Sequence, residues 1–190
     1  MQNSVLDLIG NTPMLRLEEI YVKLEQANPS GSTKDRIAKY ILEKAEKKGL
    51  LKKGYKVVEA TSGNSGIAFS MVCAVKGYHM VVIMPKGMTE ERKEIMEAYG
   101  AKIVLTPEKE SVKGAMEREL GLQGHKGYYL VKQFENLWNV EAHRLTLGKE
   151  ILKEVKRVDA FVAGVGTGGT LIGVGQALRE KNKKVKVFYM

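Results

Sequence analysis

Short runs of apolar, often β-branched residues alternate with longer amphipathic stretches along most of the chain. The apolar runs predict strands near residues 57–60, 80–84, 102–105, 128–131, 160–163 and 185–189. The amphipathic stretches predict helices near residues 34–48, 66–76, 90–99, 111–120, 139–156 and 170–181. Strands and helices that alternate at this pitch favour an α/β fold, in which a parallel sheet is covered by helices on both faces.

Local signals mark several helix ends. Thr89 precedes Glu90 and Glu91, which predicts a helix N-terminus with a capping hydroxyl and with carboxylates in the positive first turn. Gly77 and Gly100 lie where two helices should end, because glycine readily adopts the left-handed conformation of a helix C-cap.

The composition is that of an ordinary globular protein. The chain has 190 residues, of which 44% are hydrophobic and 28% charged. No apolar run approaches the roughly 20 residues of a membrane helix, and no secretory signal is visible at the N-terminus. The single cysteine, Cys73, cannot form an internal disulfide and is flanked by apolar residues at helical spacing, which suits a core position in a cytoplasmic protein. We therefore expect a cytoplasmic location and no membrane partner.

The net charge of +9 does not indicate a nucleic-acid partner. Most lysines alternate with glutamates, as in residues 43–48, which is typical of a solvated helix face. Only residues 181–186 form a basic cluster without acidic residues. His79 and His125 lack neighbours at metal-ligand spacing, so no metal site is expected.

The glycine-rich stretch 164–170 follows one predicted strand and precedes a helix. Glycines at such a junction let backbone N–H groups point at an anion beside the helix N-terminus. The stretch matches G-x-G-x-x-G, but the next strand ends without the acidic residue that a dinucleotide site needs, and Thr170 stands where a nucleotide-binding P-loop has lysine. A monophosphate is favoured, and a plain tight turn is the alternative.

Two further stretches have residues that are unusual for their position in the predicted structure. Residues 61–66, Thr-Ser-Gly-Asn-Ser-Gly, place hydroxyls, an amide and glycines at a helix N-terminus, which suits either a carboxylate ligand or ordinary capping. Lys34 lies in the first turn of its helix, where the macrodipole disfavours a cation. That field, with partial burial, would lower the pKa of Lys34 and free its amine for Schiff-base chemistry, whereas the alternative is a solvated lysine.

A nucleophilic lysine, a carboxylate loop and a monophosphate loop together suit pyridoxal 5'-phosphate and an amino acid. Five stretches resemble the cysteine synthase (O-acetylserine sulfhydrylase) family in order and spacing, namely residues 8–13, 28–36, 61–66, 133–136 and 164–170. The resemblance implies two doubly wound sheet domains of the fold type II pyridoxal-phosphate kind. The smaller domain would comprise residues 35–133, and the larger, incomplete one residues 1–34 plus 134–190.

The resemblance also implies roles for individual residues. Lys34 would bind the cofactor as a Schiff base and later remove the substrate α-proton, and Asn64 would hydrogen-bond the 3' oxygen of the cofactor. The phosphate would be held by Gly166, Thr167, Gly168, Gly169 and Thr170. The substrate carboxylate would be held by Thr61, Ser62, Gly63, Ser65 and Gln133. Residues 143–148 would belong to the scaffold.

The reaction implied is a β-replacement that makes L-cysteine from O-acetyl-L-serine and sulfide through an aminoacrylate intermediate, in a homodimer. A cystathionine β-synthase-like enzyme or another β-elimination or β-replacement enzyme of the superfamily remains an alternative. Outside this superfamily, the alternative functions are those of a nucleotide-binding Rossmann-type protein, a cofactor-free binding module and a nucleic-acid binder.

The resemblance covers about two-thirds of a typical family member, so we expect segments to be absent after Leu17, Leu120 and Met190, with the partner of the cofactor's ring nitrogen among them. Residues 15–17 and 21–24 alternate like strands, but the linking residues 18–20 lack the Gly, Asn or Asp that a tight hairpin needs. The run 185–189 should be a buried parallel strand.

At 137–138 the chain has Leu-Trp where the family has a proline-containing pair, which implies a different loop shape.

Overall fold

The computed structural model describes residues 3–190. Its strands are β1 (Met14–Leu17), β2 (Ile20–Lys23), β3 (Lys56–Ala60), β4 (His79–Pro85), β5 (Lys102–Thr106), β6 (Tyr128–Leu130), β7 (Ala160–Ala163) and β8 (Lys186–Tyr189). Its α-helices are α1 (Lys34–Lys47), α2 (Asn64–Lys76), α3 (Glu90–Ala98), α4 (Ser111–Leu120), α5 (Trp138–Leu145), α6 (Leu147–Glu154) and α7 (Gly169–Lys181). Among these helices, none is long and apolar enough to cross a lipid bilayer.

The chain divides into two compact units. Unit 1 comprises residues 3–7 and Leu42–Lys132, and unit 2 comprises Leu8–Ile41 and Gln133–Met190. The division falls inside α1, between Ile41 and Leu42.

Unit 1 contains a four-stranded parallel sheet in the order β5-β4-β3-β6. Val58 of β3 lies opposite Val81 on one side and Leu130 on the other. Residues 57–60 are all buried, so both faces of β3 are covered, as expected for a parallel sheet between helices. The apolar run that predicted this strand is continuous for that reason, and the predicted α/β architecture is confirmed.

The helix ends of unit 1 follow the sequence signals with one exception. Gly77 is the C-cap of α2 at φ +74°, and Gly100 follows α3 at φ +84°, both in the left-handed conformation. Thr89 is the N-cap of α3 in an extended conformation, but its side chain makes no capping hydrogen bond. The predicted helix start is confirmed, whereas the predicted capping hydroxyl is wrong.

Unit 2 packs α6 and α7 beside the parallel pair β7 and β8. Its core consists of Leu147, Ile151, Val174, Leu178 and Val185. β8 pairs with β7 as predicted, but its side chains are mostly exposed, so the expected burial of this strand is not found.

The single helix predicted over residues 139–156 is wrong, because the structure has two helices there. The break falls at Thr146, whose backbone leaves the helical region at φ −111° and ψ −85°. The Thr146 hydroxyl donates to the carbonyl of Ala142 at 2.7 Å. Such a side-chain bond competes with the regular helix ladder and often bends a helix.

The strands β1 and β2 form a tight antiparallel hairpin, with Leu17 opposite Ile20. Glu18 supplies the positive φ, at +53°, that the sequence analysis assigned only to Gly, Asn or Asp. Its carbonyl accepts a hydrogen bond from the Arg16 guanidinium at 2.9 Å, which helps to hold this conformation. The expectation that these residues could not close a hairpin is therefore wrong, although the left-handed conformation costs a residue with a side chain about 1–2 kcal/mol.

Candidate functional site

Lys34 is the first residue of α1 and is partly buried in unit 2. Its backbone N–H donates to the Ser32 hydroxyl at 3.2 Å, which ties the helix start to the preceding loop. Burial lowers the pKa of Lys34 below its ordinary value, because the charged ammonium loses solvent. The predicted direction of this shift is confirmed, and a larger fraction of the amine is neutral and nucleophilic than for a solvated lysine.

A buried ion cluster holds the same helix turn. The Arg36 guanidinium donates from Nε to Glu25 at 2.7 Å and from Nη1 to Glu150 at 2.6 Å, and its side chain is only 1% exposed. Burial opposes ionisation of Glu150, but hydrogen bonds from Arg36 and from the Asn11 N–H, with the Arg36 charge, lower the pKa of Glu150 to about 2. The cluster joins α1 to α6 through Arg36, which follows Lys34 by two residues in the chain.

The segment of residues 164–168 connects β7 to α7 and is called the glycine loop below. Gly168 is the N-cap of α7 in the left-handed conformation, with φ +80°. Gly164 and Gly166 are exposed, and a Cβ at either position would meet nothing within 4 Å. Open space beside a helix N-terminus, where backbone N–H groups are unpaired within the helix, is the geometry that binds an anion.

Two threonine hydroxyls of this region are held by α5. Asn139 Nδ2 donates to Thr167 Oγ1 at 2.8 Å, and Thr170 Oγ1 lies 3.2 Å from His143 Nε2. Asn139 and His143 are four residues apart, so they project from the same face of α5. Both are almost fully buried, at 2% and 1% exposure.

The close approach of α5 and α7 requires two glycines. A Cβ at Gly169 would overlap Oδ1 and Cγ of Asn139. A Cβ at Gly173 would overlap the carbonyl oxygen of Val140. Gly169 is therefore fixed by helix packing, a reason separate from anion binding.

His143 contacts Thr170 and is affected by the charge of Lys34. Burial first, and then the positive charges of Lys34 and Arg36, lower the pKa of His143 to about 3, so the ring is neutral near pH 7. Nδ1 is buried and has no hydrogen-bond partner among the described residues. The expectation that residues 143–148 are scaffold leaves out the contact of His143 with Thr170. The available signal was a pair of polar residues at helical spacing, Asn139 and His143.

The loop of residues 61–63 in unit 1 joins β3 to α2, as the sequence predicts. Thr61 is buried; its N–H donates to the Ile83 carbonyl at 3.0 Å, and its hydroxyl accepts from the Gly63 N–H at 3.3 Å. Asn64 is exposed at the first position of α2, and Ser65 is buried behind it. The predicted helix start is confirmed, whereas the binding roles of these residues stay predictions.

Residues of α3 support that loop from within unit 1. A Cβ at Gly66 would lie 2.7 Å from the sulfur of Met96 and 3.1 Å from Cγ2 of Thr61. Arg92 Nη1 donates to the carbonyl of Ser62 at 3.4 Å. Gly66 therefore permits the close packing that fixes the loop.

Gln133 lies in unit 2 and is buried at 5% exposure. Its carbonyl accepts a hydrogen bond from Asn139 Nδ2 at 3.0 Å. Unit 2 thus assembles Lys34, Gln133 and the glycine loop around α5, while the residues from Thr61 to Ser65 belong to unit 1. Within residues 3–190, no group of three or more His, Cys, Asp or Glu side chains is placed to hold a metal ion.

Comparison with known proteins identifies relatives of this chain. The chain is 47% identical to a cysteine synthase from Staphylococcus aureus over 97% of its own length and 63% of that protein. It is 45% identical to an O-ureido-L-serine synthase from Streptomyces lavendulae, again over 97% of this chain and over 60% of that protein. The chain therefore spans somewhat less than two-thirds of the curated relatives that it matches.

The fold is shared as well. A hydrogen sulfide-producing enzyme from Fusobacterium nucleatum superposes with a TM-score of 0.93 at 44% identity, covering all of this chain and 66% of that one. This architecture is the fold type II of pyridoxal-phosphate enzymes. The family model described as pyridoxal-phosphate dependent enzyme matches residues 5–190. The chain belongs to the pyridoxal-phosphate dependent enzyme family.

Proposed function

We propose that this protein makes L-cysteine from O-acetyl-L-serine and sulfide by a β-replacement that depends on pyridoxal 5'-phosphate. The observation that carries the proposal is the placement of a partly buried lysine with a lowered pKa, Lys34, in the same compact unit as an open glycine loop at a helix N-terminus. His143 connects them, because it is affected by the Lys34 charge and contacts Thr170. The similarity to cysteine synthases over 97% of the chain supports the same reaction class.

The residues of unit 2 fit the cofactor. The phosphate would be held by backbone N–H groups of Gly166, Gly168 and Gly169 and by the hydroxyls of Thr167 and Thr170. The space beside Gly166 is open and Gly168 is in the left-handed conformation, whereas the Gly169 N–H already donates to Thr167 Oγ1 at 3.4 Å. When bound, pyridoxal phosphate supplies an electron sink that acidifies the α-carbon of an attached amino acid.

Lys34 would act at two points. Its neutral Nζ would hold the cofactor as a nucleophile, and burial favours that neutral form. The same amine would take up the α-proton of the substrate and hold it at Nζ. The ion pairs of Arg36 fix the helix turn that carries this amine.

The other assigned residues would orient the ligands. Asn64, exposed at the start of α2, would hydrogen-bond the 3' oxygen of the cofactor. The substrate carboxylate would be bound by Thr61, Ser62, Gly63, Ser65 and Gln133, of which Thr61, Ser65 and Gln133 are buried. Hydroxyl and N–H donors at a helix N-terminus suit a carboxylate.

The domain boundaries, the location and the assembly belong to the same proposal. We expect a smaller domain over residues 35–133, a larger one containing residues 1–34 and 134–190, and a homodimer in the cytoplasm. Sedimentation of a monomer at micromolar concentration would contradict the dimer.

A second candidate is a related β-replacement or β-elimination with another substrate. The O-ureido-L-serine synthase relative is nearly as similar as the cysteine synthase, at 45% against 47% identity. The purified protein should therefore be given O-acetyl-L-serine with sulfide, O-acetyl-L-serine with homocysteine, and cysteine alone. Cysteine formation in the first reaction supports the proposal, while faster cystathionine formation or sulfide release in the others favours the second candidate.

Covalent labelling tests the central assignment. The purified full-length protein should be yellow, and borohydride reduction should attach the cofactor to the peptide that contains Lys34. Lys34→Ala should abolish both the colour and the label. Lys47→Ala is the matched control, because Lys47 is an exposed lysine at the other end of α1. Colour and label that survive in Lys34→Ala would overturn the proposal.

A further inference from the structure

Asn139 makes a bridge that the reaction described above does not use. Its Nδ2 donates both to the carbonyl of Gln133 at 3.0 Å and to Thr167 Oγ1 at 2.8 Å. The side chain is 2% exposed, so both bonds are shielded from water. The amide thus joins a proposed carboxylate-binding residue to a hydroxyl beside the glycine loop.

The orientation of this amide is determined by its neighbours. If the amide were flipped, Oδ1 would face the carbonyl oxygen of Gln133, and two acceptors would be in contact without a proton between them. In the orientation observed, Oδ1 lies against Gly169 and has no hydrogen-bond partner among the described residues. The NH2 group therefore points at Thr167.

The orientation of the amide determines whether the Thr167 hydroxyl donates or accepts in this hydrogen bond. An amide NH2 only donates, so Thr167 Oγ1 must accept from Asn139. The same oxygen also receives the Gly169 N–H at 3.4 Å. Its own proton remains available for a different acceptor. At Thr170 the hydroxyl can be either donor or acceptor, because the His143 Nε2 that contacts it can donate or accept.

We propose that Asn139 is a positioning residue, which directs the Thr167 hydroxyl proton toward an anion bound at the glycine loop. The proposal rests on the proposed function, in which that anion is the phosphate of the cofactor. A hydroxyl whose proton is already directed outward binds a phosphate oxygen without first breaking another hydrogen bond. Hydrogen bonds to a charged acceptor are among the stronger ones in proteins, so the effect should be measurable as cofactor affinity.

The test compares two ligands that differ only in the phosphate. Dissociation constants of pyridoxal 5'-phosphate and of pyridoxal are measured for the wild-type full-length protein, Asn139→Ala, Thr167→Val and the double variant. We expect Asn139→Ala to weaken binding of the phosphate form about tenfold and to leave pyridoxal binding unchanged. In the Thr167→Val background, Asn139→Ala should cause no further loss. The phosphorus NMR shift of the bound cofactor should move in Asn139→Ala.

Two other variants separate positioning from packing. Asn139→Asp keeps the side-chain shape beside Gly169 but replaces the donor by an acceptor, so it should weaken phosphate-form binding more than alanine does, and it serves if the alanine variant fails to fold. Asn182→Ala is the control, since Asn182 also donates to a carbonyl, that of Val158 at 2.9 Å, at the far end of α7. It should bind both ligands as the wild type does.

Each remaining outcome has one meaning. Equal weakening of pyridoxal and its phosphate, or losses that add in the double variant, would overturn the positioning role and leave Asn139 as a packing residue. Unchanged affinity in Asn139→Asp would overturn it too. A wild-type protein that binds neither ligand would refute the proposed function itself.

Discussion

The buried, neutral His143 predicts a specific loss of stability in mild acid. In the unfolded chain a histidine takes up a proton as the pH falls through about 6.5. In the folded protein, burial and the charges of Lys34 and Arg36 lower the pKa of His143 to about 3, against a smaller opposing effect of Glu25. Between these values the unfolded state binds more protons than the folded state, so lowering the pH favours unfolding.

The magnitude follows from the two pKa values. With 6.5 in the unfolded state and about 3 in the folded state, linkage gives a loss of about 2 kcal/mol at pH 5 relative to neutral pH. Glu150 gives a similar loss only at lower pH, because its ordinary pKa is 4.5 and its folded pKa is about 2. At pH 5 Glu150 therefore stays mostly ionised, and the difference between the wild type and His143→Gln reports the histidine.

The assay is urea unfolding of the cofactor-free protein, followed by circular dichroism at pH 7 and at pH 5. His143→Gln should lose about 2 kcal/mol less than the wild type between these two conditions. His125→Gln is the control, because it removes an exposed imidazole and keeps His143, so it should show the wild-type difference. The reasoning is refuted if His143→Gln shows the same loss as the wild type.

Two further substitutions test the packing around the site. Arg36→Leu leaves two partly buried glutamates without their guanidinium and should lower the free energy of unfolding by about 3–5 kcal/mol. Arg157→Leu, at an exposed ion pair, should change it little. Gly173→Ala places a Cβ on the carbonyl oxygen of Val140, so it should cost about 1–3 kcal/mol and lower the Tm. Gly175→Ala on the same helix should be tolerated better, because its Cβ would meet only the two methyl groups of Val187, at 3.3 and 3.7 Å. A Gly173→Ala variant that is as stable as Gly175→Ala would contradict the packing argument.

The sequence predicts best where the information is local. The strands of the four-stranded sheet are continuous apolar runs because both of their faces are buried, and a run of that kind is visible in one dimension. The break at Thr146 was missed because helix-like amphipathicity continues on both sides of it. The hairpin at Glu18 was missed for a different reason, since a residue with an intrinsic preference against positive φ is held there by a hydrogen bond from Arg16.

In the candidate site, too, local features are predictable from the sequence, whereas contacts between distant residues are not. The glycine loop, residues 61–66 and the Lys34 turn each occupy one short stretch, so their composition marks them as candidates. The contacts that orient them link residues far apart in the chain, such as Arg36 and Glu150, which are separated by 114 positions. No local pattern marks such a pair. Asn139 and His143 lie between these extremes, because their spacing is visible in the sequence but their partners are not, namely Thr167 in the glycine loop and Thr170 on α7.

The glycines of the G-x-G-x-x-G stretch are under two different constraints. Gly164 and Gly166 are exposed, and a Cβ there would meet no neighbour, so packing does not require glycine at either position. Gly169 is required by the close approach of α5, where a Cβ would overlap the Asn139 side chain. The motif thus joins a backbone surface open to an anion with a helix contact that brings Asn139 to Thr167. Because one short stretch satisfies both constraints, the match to a dinucleotide motif was formal, and the contact with α5 is what connects this loop to the residues around Lys34.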